Sequence, residues 1–417
     1  MEAGSREVEY PRGWTALRVA ILVQFAATGS LFPFITIYFG EIGLDYAHIG
    51  KILSVASATM LVFPWVWGAL GDRWIPLDRL LSGLNLCAAL ALAGLMHART
   101  FWPVLMTFTV YSACALPTFT LTNALAFSHL PRPVEQFGAL RSYGSLGWII
   151  PFLPISLWLV GHRDESLAFV LRLAFGLHFL GMFCYRWVPE TVPGLRRGSG
   201  IAPQLRYNRL VQERLLTVNY LALLGSMFLV AGAYTVLFYY SPPFLTQLGV
   251  PREWIGPVQA IGVIVEAILF RAYRLFARRF TVTTLILVGI VSLAVRHGLY
   301  VVGSDPWILS FSYVLAGPVI AFHHTGLGVL ANTIGGREVR ATAQTLFSVV
   351  GQGLGPMLSH WVASCLTARY HNSLRPVFFV AALYCVVAGI LIAWRKRSLD
   401  TIRTCEEGVL EEGTDKA

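Results

Sequence analysis

Twelve long apolar stretches, separated by short polar segments, form the main hydrophobicity pattern of this chain. Each is long enough to cross the hydrocarbon core of a bilayer as a helix, which takes about 17 to 25 residues. We number them spans 1 to 12, in chain order: Thr15–Phe39, His48–Leu70, Leu80–His97, Phe101–Phe127, Phe137–Val160, Leu167–Trp187, Leu215–Tyr240, Trp254–Phe276, Thr281–Val302, Trp307–Ala331, Ala341–Leu366 and Pro376–Trp394. The pattern predicts an all-α membrane protein with twelve transmembrane helices.

The polar segments divide these spans into two sets of six. The longest, 189–214, is rich in Arg, Gly and Pro, so we expect a cytosolic linker between bundles at 15–188 and 215–394. Residues 1–14 mix acids and bases and lack the cleavage site of a signal peptide, so we expect a cytosolic leader. The charged tail, 395–417, is expected to be cytosolic and disordered beyond its first turn.

The composition narrows the class of protein further. Charged residues make up 13% of the 417 residues, about half of the ~25% typical of a soluble domain, while hydrophobic residues make up 56%. These values exclude soluble, disordered and fibrous proteins. The six cysteines lack the spacing of a zinc site or a redox pair, and no GxxxxGK[ST] motif is present. We therefore expect no enzyme activity, no metal site and no cofactor.

The basic residues predict the orientation of the spans. Of the 32 Lys and Arg residues, 23 lie on the face that carries both termini and 7 on the opposite face. Basic residues concentrate in cytoplasmic loops, so both termini are predicted to be cytosolic and the chain to lie in a cell (inner) membrane. The net charge of +10 then faces the anionic lipid leaflet. We do not expect a nucleic-acid partner.

The loop between spans 2 and 3 carries the motif GALGDRW (Gly68–Trp74), and five further motifs follow it along the chain. GALGDRW resembles the loop 2–3 signature of the major facilitator superfamily, with Gly68, Asp72 and Arg73 in matching positions. The resemblance implies that these three residues belong to a gating loop. The closer likeness is to the branch that contains nucleoside:proton symporters, 3-phenylpropionate permeases and, more distantly, lactose permease. It is carried by ALPTFTLTNALAFSHL, FGALRSYGSLGWI, GVIVEAILF, SLAVRHGLY and EVRATAQTLF.

This resemblance implies two parallel six-helix repeats that transport a solute by alternating access. The solute would be a small organic molecule, such as a nucleoside, an aromatic acid or a sugar-like compound. We expect the protein to be a monomer in the lipid bilayer that binds this solute and protons.

One acidic side chain lies deep in an apolar stretch. Of the 22 acidic residues, Glu266 is the one well inside a span, and intramembrane acids are costly and commonly functional. Such a group can load and release a proton when a cationic neighbour approaches or departs. We expect Arg296 on span 9 to be that neighbour. The alternative is a structural ion pair between spans 8 and 9.

The family resemblance extends this pair to a proton-coupling network. In lactose-permease-like transporters an acid on span 8, an Arg on span 9 and a His on span 10 act together, which implies roles for Glu266, Arg296 and either His323 or His324. His323 is favoured by its position. The histidines could instead be hydrogen-bonded parts of the structure.

The predicted substrate cavity combines residues from three spans. Arg141, before the Gly-Ser-x-Gly step that contains Ser145, faces the substrate in the related families, although it could also anchor the cytosolic end of span 5. Asn123 is the other polar candidate of the first half, and Trp148 and Tyr234 could stack against a planar solute. Span 7 offers no carboxamide near its centre, and Gln259 lies two turns from Glu266. Recognition of a nucleoside is therefore not carried over from the family.

These observations favour a proton-coupled symporter. A uniporter of the same fold is the alternative, in which Glu266 and Arg296 form only a structural pair. A non-transporting membrane sensor would be expected to carry a large soluble output domain, which the sequence does not show.

Overall fold

A computed structural model of the chain describes residues 13–130, 133–162, 165–191 and 201–414. All regular secondary structure in these residues is helical. Eleven helices in the described part of the chain are long and apolar enough to cross a membrane, which confirms the all-α membrane architecture. They are spans 1 to 10, at Trp14–Glu41, Tyr46–Arg73, Leu77–His97, Phe101–His129, Leu140–Gly161, Ala168–Arg186, Val218–Gln247, Arg252–Ala277, Val282–Val302 and Pro306–Gly336, and span 12, at Arg375–Ile402.

Span 11 is helical over 340–369 but is more polar than the other spans. Its second half packs between the two bundles. Ser364 Oγ donates a hydrogen bond to the Ala47 carbonyl at 2.7 Å, and His360 Nδ1 lies 3.1 Å from the Tyr240 hydroxyl. Polar side chains are tolerated in a span whose neighbours bond to them.

Several spans are interrupted at proline, because proline lacks an N–H group and its ring clashes with the preceding turn. Span 1 consists of Trp14–Leu31 and Ile35–Glu41, span 4 of Phe101–Ala115 and Thr118–His129, and span 5 of Pro133–Ile149 and Phe152–Gly161.

Span 10 changes its helical geometry along its length. It begins with Pro306–Phe311, tightens into a 3-10 helix over Ser312–Ala316, widens into a π-helical turn over Val319–His324 and continues in Thr325–Ser348. That last helix is kinked at Gly336 and Val339, where span 11 starts, and a second π-helical turn, Val349–Leu354, precedes Gly355–Arg369.

The two halves hold their third helix in the same way. At the start of span 3, Thr191 Oγ1 accepts a hydrogen bond from the Leu77 amide at 2.8 Å, and Arg79 forms an ion pair with Glu190 at 2.8 Å. At the start of span 9, Thr281 Oγ1 accepts a hydrogen bond from Lys396 Nζ at 3.3 Å. In the first half residues just after the sixth helix bind the start of the third, and in the second half a residue in the last turns of the sixth span does so, as expected of parallel repeats.

The linker contains more regular structure than its composition predicts. Residues Ile201–Leu215 form a helix, supported by the Arg209–Glu213 ion pair one turn apart at 2.7 Å. Arg214 Nη2 lies 3.1 Å from Glu338 Oε2, which ties this helix to the loop between spans 10 and 11. The rest of the linker, 192–200, lies outside the described residues.

The expectation of a disordered tail is wrong over most of its length. The last helix, Arg375–Thr414, continues well past the end of span 12. The Lys396–Asp400 ion pair at 2.7 Å stabilises the helix beyond Trp394, the predicted end of span 12. The expected leader lies almost entirely in residues 1–12, which are outside the described part, as are 415–417.

Side-chain contacts between the bundles are concentrated on the face opposite the termini, which we call the closed face. Thr36 Oγ1 donates to the Tyr239 carbonyl at 2.7 Å, and Gln247 Nε2 donates to the Tyr46 hydroxyl at 2.8 Å. Glu41 forms an ion pair with Arg252. These contacts join spans 1 and 2 to spans 7 and 8.

Close approach of spans 2 and 11 completes the closed face. A Cβ atom at Gly50 would lie 2.8 Å from the His360 carbonyl oxygen and 2.8 Å from Ser364 Cβ. The neighbouring atoms belong to helix backbone and a buried side chain, so they cannot give way without moving the whole helix.

We expect Gly50→Leu to open the closed face, because the leucine side chain forces spans 2 and 11 apart and shifts the conformational equilibrium. Spin labels at Thr100 and Ser304, exposed positions of the two bundles on this face, report the separation in a background without native cysteines. The label distance should increase by several ångströms in Gly50→Leu. The control Gly40→Leu, whose Cβ meets nothing within 4 Å, should leave it unchanged. Equal distances in all three proteins would show that the closed face does not depend on this contact.

Candidate functional site: the central cavity

A cavity of about 520 Å³ lies between the two bundles. This volume is within the range of about 300–1,000 Å³ typical of small-molecule sites. The first bundle contributes Phe25, Phe119, Thr120, Asn123, Arg141, Gly144, Ser145 and Trp148 to its wall. The second bundle contributes Tyr234, Thr235, Phe238, Tyr239, Gln259, Gly262, Val263, Glu266, Arg296, Tyr313, Ala316 and Gln352.

The five residues predicted for the substrate cavity are all part of this wall. They are Asn123, Arg141, Ser145, Trp148 and Tyr234. The structure thus brings together side chains from spans 4, 5 and 7 that the sequence singled out separately. Their roles in binding a solute remain predictions.

Glycines allow spans 1 and 5 to pack closely enough to place Arg141. A Cβ atom at Gly144 would lie 2.5 Å from Arg141 Nη1 and 3.2 Å from the Phe25 ring. In the space that Gly144 leaves, the guanidinium lies 4.5 Å from the centroid of Phe25, within the range of a cation–π contact. Arg141 therefore lines the cavity, as the first of its two predicted placements requires.

Arg141 is also the cation that acts on Glu266. The two side chains attract each other across the boundary between the bundles. Among the described residues, Glu266 forms no ion pair with Arg141 or with Arg296, although all three line the cavity. Arg296 instead lies with its guanidinium carbon 3.8 Å from the centroid of the Tyr313 ring. In this conformation Glu266 therefore shares the cavity with a cation of the other bundle, and its pairing with Arg296 remains a prediction.

The two predicted histidines lie behind the cavity wall. His323 is fully buried, with Nε2 at 3.0 Å from the Ser226 hydroxyl and Nδ1 at 3.4 Å from His324 Nδ1. His324 Nδ1 lies 3.1 Å from the Val319 carbonyl, and its ring packs edge-on against Tyr234 at 6.0 Å. Tyr234 thus separates them from the cavity. A role for either histidine in proton coupling remains a prediction.

The cavity contains two carboxamides, Gln259 and Gln352, that were not among the predicted cavity residues. Gln259 and Gln352 line it together with Asn123, so three carboxamides from three spans face one space. Gln259 Nε2 is buried and has no acceptor among the described residues. Gln352 lies in a π-helical turn between two glycines. The sequence signal that could have indicated a cavity-lining helix here is the low hydropathy of span 11.

The chain was compared with protein families and with solved structures. The model of the MFS_1 like family matches residues 14–379. The chain belongs to the MFS_1-like family.

Two curated relatives of this MFS_1-like chain are permeases. The maltose permease of Geobacillus stearothermophilus is 27% identical over 375 residues, which is 88% of this chain and 90% of that protein. The xanthosine permease of Escherichia coli (strain K12) is 22% identical over 378 residues, or 84% and 86% of the two chains. The crystal structure of a mutant of the nucleoside transporter NupG matches with a TM-score of 0.79 and 20% identity, covering 91% of this chain and 98% of that one. The protein is therefore a multi-pass membrane transporter of the major facilitator type and not an enzyme.

The three residues predicted to form a gating loop lie away from the cavity of this MFS_1-like transporter. Gly68, Asp72 and Arg73 are in the last two turns of span 2, on the face of the termini, and Asp72 and Arg73 are exposed. The buried acid of this region is Asp78, whose Oδ1 accepts a hydrogen bond from the Thr191 amide at 3.2 Å. The sequence analysis did not single out Asp78.

We expect Gly147→Ala to weaken solute binding roughly tenfold, because an error of about 1 Å in a binding group can cost that much or more. A Cβ atom at Gly147 would clash with the Leu22 carbonyl oxygen, so span 5 must move away from span 1 and carry Arg141 and Trp148 with it. The KM of solute uptake measures the loss, and the melting temperature reports on folding. Gly161→Ala on the same span, where the Cβ meets nothing within 4 Å, should match wild type. A wild-type KM in Gly147→Ala would contradict this placement of Arg141.

Proposed function

We propose that this transporter is a proton-coupled symporter of a small planar organic solute about the size of a nucleoside. One observation carries the proposal. Among the described residues, Glu266 is the one carboxylate that lines the cavity, and its attracting cation, Arg141, belongs to the other bundle.

This arrangement suits coupling because the two partners move with different bundles. A carboxylate beside a guanidinium is stabilised in its ionised form, and a carboxylate left alone in apolar surroundings binds a proton more readily. When the bundles rock against each other in alternating access, the separation of Glu266 and Arg141 changes. Proton binding and the direction in which the cavity faces are then linked through one equilibrium.

The wall of the cavity supports a planar solute with several hydrogen-bonding groups. Seven aromatic side chains line the cavity and offer faces or edges for a ring: Phe25, Phe119, Trp148, Tyr234, Phe238, Tyr239 and Tyr313. The three carboxamides offer both donors and acceptors, as recognition of a nucleobase or a ribose requires. The names of the relatives, a xanthosine permease and a nucleoside permease, agree with this class, while the maltose permease keeps sugar-like solutes as a second candidate.

The excess of basic residues on the termini face supports cytosolic termini. In this orientation the closed face points outward, so the conformation described above faces inward. We propose an inner-membrane location and a monomer, in which each chain has its own cavity between its two bundles.

The test is solute uptake into proteoliposomes with and without an inward proton gradient, using a panel of nucleosides, aromatic acids and sugars. We expect Glu266→Gln to abolish gradient-driven accumulation, because a permanently neutral side chain cannot bind and release the proton. Exchange of solute without net proton movement should survive, since glutamine keeps the shape of the cavity.

The control is Glu165→Gln, which removes an exposed acid outside the cavity and should accumulate solute as wild type does. If Glu266→Gln accumulates solute normally and keeps its pH dependence, Glu266 is not the coupling site. If wild-type protein equilibrates solute without responding to the proton gradient, the uniporter is the correct function and the Arg141–Glu266 attraction is structural.

A further inference from the structure

Arg296 is a buried cation in the cavity wall whose charge is not balanced by a neighbouring carboxylate. The side chain is 2% exposed, and its Nε and Nη2 atoms make no hydrogen bond to any described residue. Its contacts are with aromatic rings, at 3.8 Å from the Tyr313 centroid and 5.8 Å from the Tyr300 centroid. Buried donors in proteins are nearly always paired, so these donors point to a ligand that accepts hydrogen bonds.

The charges of the cavity indicate what that ligand carries. Among the described residues, the charged side chains that line the cavity are Arg141, Glu266 and Arg296. While Glu266 is ionised, these two cations and one carboxylate leave one positive charge in excess, and Arg296 is the cation with unpaired buried donors. An unbalanced charge away from water is costly, and a solute with one negative charge would balance it.

We propose that Arg296 binds a carboxylate group of the solute, and that the solute is an aromatic monocarboxylate: a planar ring, or a nucleoside, that bears one carboxylate. The guanidinium can donate two parallel hydrogen bonds to such a group. The Tyr313 ring, which lies against the Arg296 guanidinium, fixes the orientation of the guanidinium plane. This inference rests on the proposed function, because it names the substrate class of the same cavity.

The proposal has a consequence for the energetics of transport. One proton and one monoanion carry no net charge when they cross together. Uptake should therefore respond to the pH gradient and be insensitive to membrane potential. A neutral solute moved with one proton would carry a charge, and its uptake would respond to the potential as well.

The experiment uses two matched pairs of probes with purified full-length protein. One pair is 3-phenylpropionate and its neutral amide, and the other is orotidine and uridine, which differ by a carboxylate on the base. Competition and uptake are measured in proteoliposomes for wild type, Arg296→Gln, Arg296→Lys and the control Arg271→Gln. Arg271 is an exposed cation near the end of span 8 and does not line the cavity. Potassium gradients with valinomycin set the membrane potential independently of the pH gradient.

Wild type and Arg271→Gln should prefer the carboxylate of at least one pair by roughly 30-fold or more, the effect expected for a buried charge pair. Arg296→Gln should lose this preference and still bind the neutral member, and Arg296→Lys should keep part of it. Uptake of the preferred carboxylate should not change with the imposed potential.

Two results would overturn the inference. The first is that wild type prefers neither carboxylate over its neutral partner, including the case in which it binds neither. The second is a carboxylate preference that survives Arg296→Gln. Both results are separate from the proposed proton coupling. Proton-driven uptake of uridine without a carboxylate preference would support the symporter and reject the anion site. A carboxylate preference that depends on Arg296, without proton coupling, would support the anion site and reject the symporter.

Discussion

The attraction between Arg141 and Glu266 is the interaction on which this view of the transporter depends. Each bundle contributes one of the two charges, so the pair reports directly on how the bundles face each other. Both side chains are held by their own helices: Arg141 by the ring of Phe25 and the space at Gly144, and Glu266 by span 8. A charge pair placed across a moving boundary can convert protonation into a change of conformation.

Contacts on the closed face hold the two bundles together on one side of this boundary. On the closed face, the bundles are joined by hydrogen bonds to backbone carbonyls, one ion pair and the close approach at Gly50. These contacts are local and polar, which suits a surface that has to separate and form again. By contrast, the buried side-chain hydrogen bonds within the first bundle, such as Gln24 to Thr118 at 2.8 Å, connect spans that move as one body.

The sequence predicted the helices and much of the cavity wall, because hydropathy over about 20 residues and a series of family motifs are local signals. It did not predict which cation acts on Glu266, since that depends on how two bundles dock. The buried placement of His323 and His324 and the position of Gln352 in the cavity wall have one physical cause. These residues lie in the π-helical turns Val319–His324 and Val349–Leu354, where an extra residue per turn rotates the side chains away from the directions that 3.6-residue periodicity gives.

The most direct test of the central claim is a double-mutant cycle on solute affinity with Arg141→Gln, Glu266→Gln and the double variant, measured at alkaline pH where the acid is ionised. If the two side chains act on each other across the boundary, the effects of the single changes should not add, and the cycle should give a coupling energy of about 1 kcal/mol or more. Additive effects, within about 0.5 kcal/mol, would contradict the interaction and with it the proposed link between protonation and the movement of the bundles.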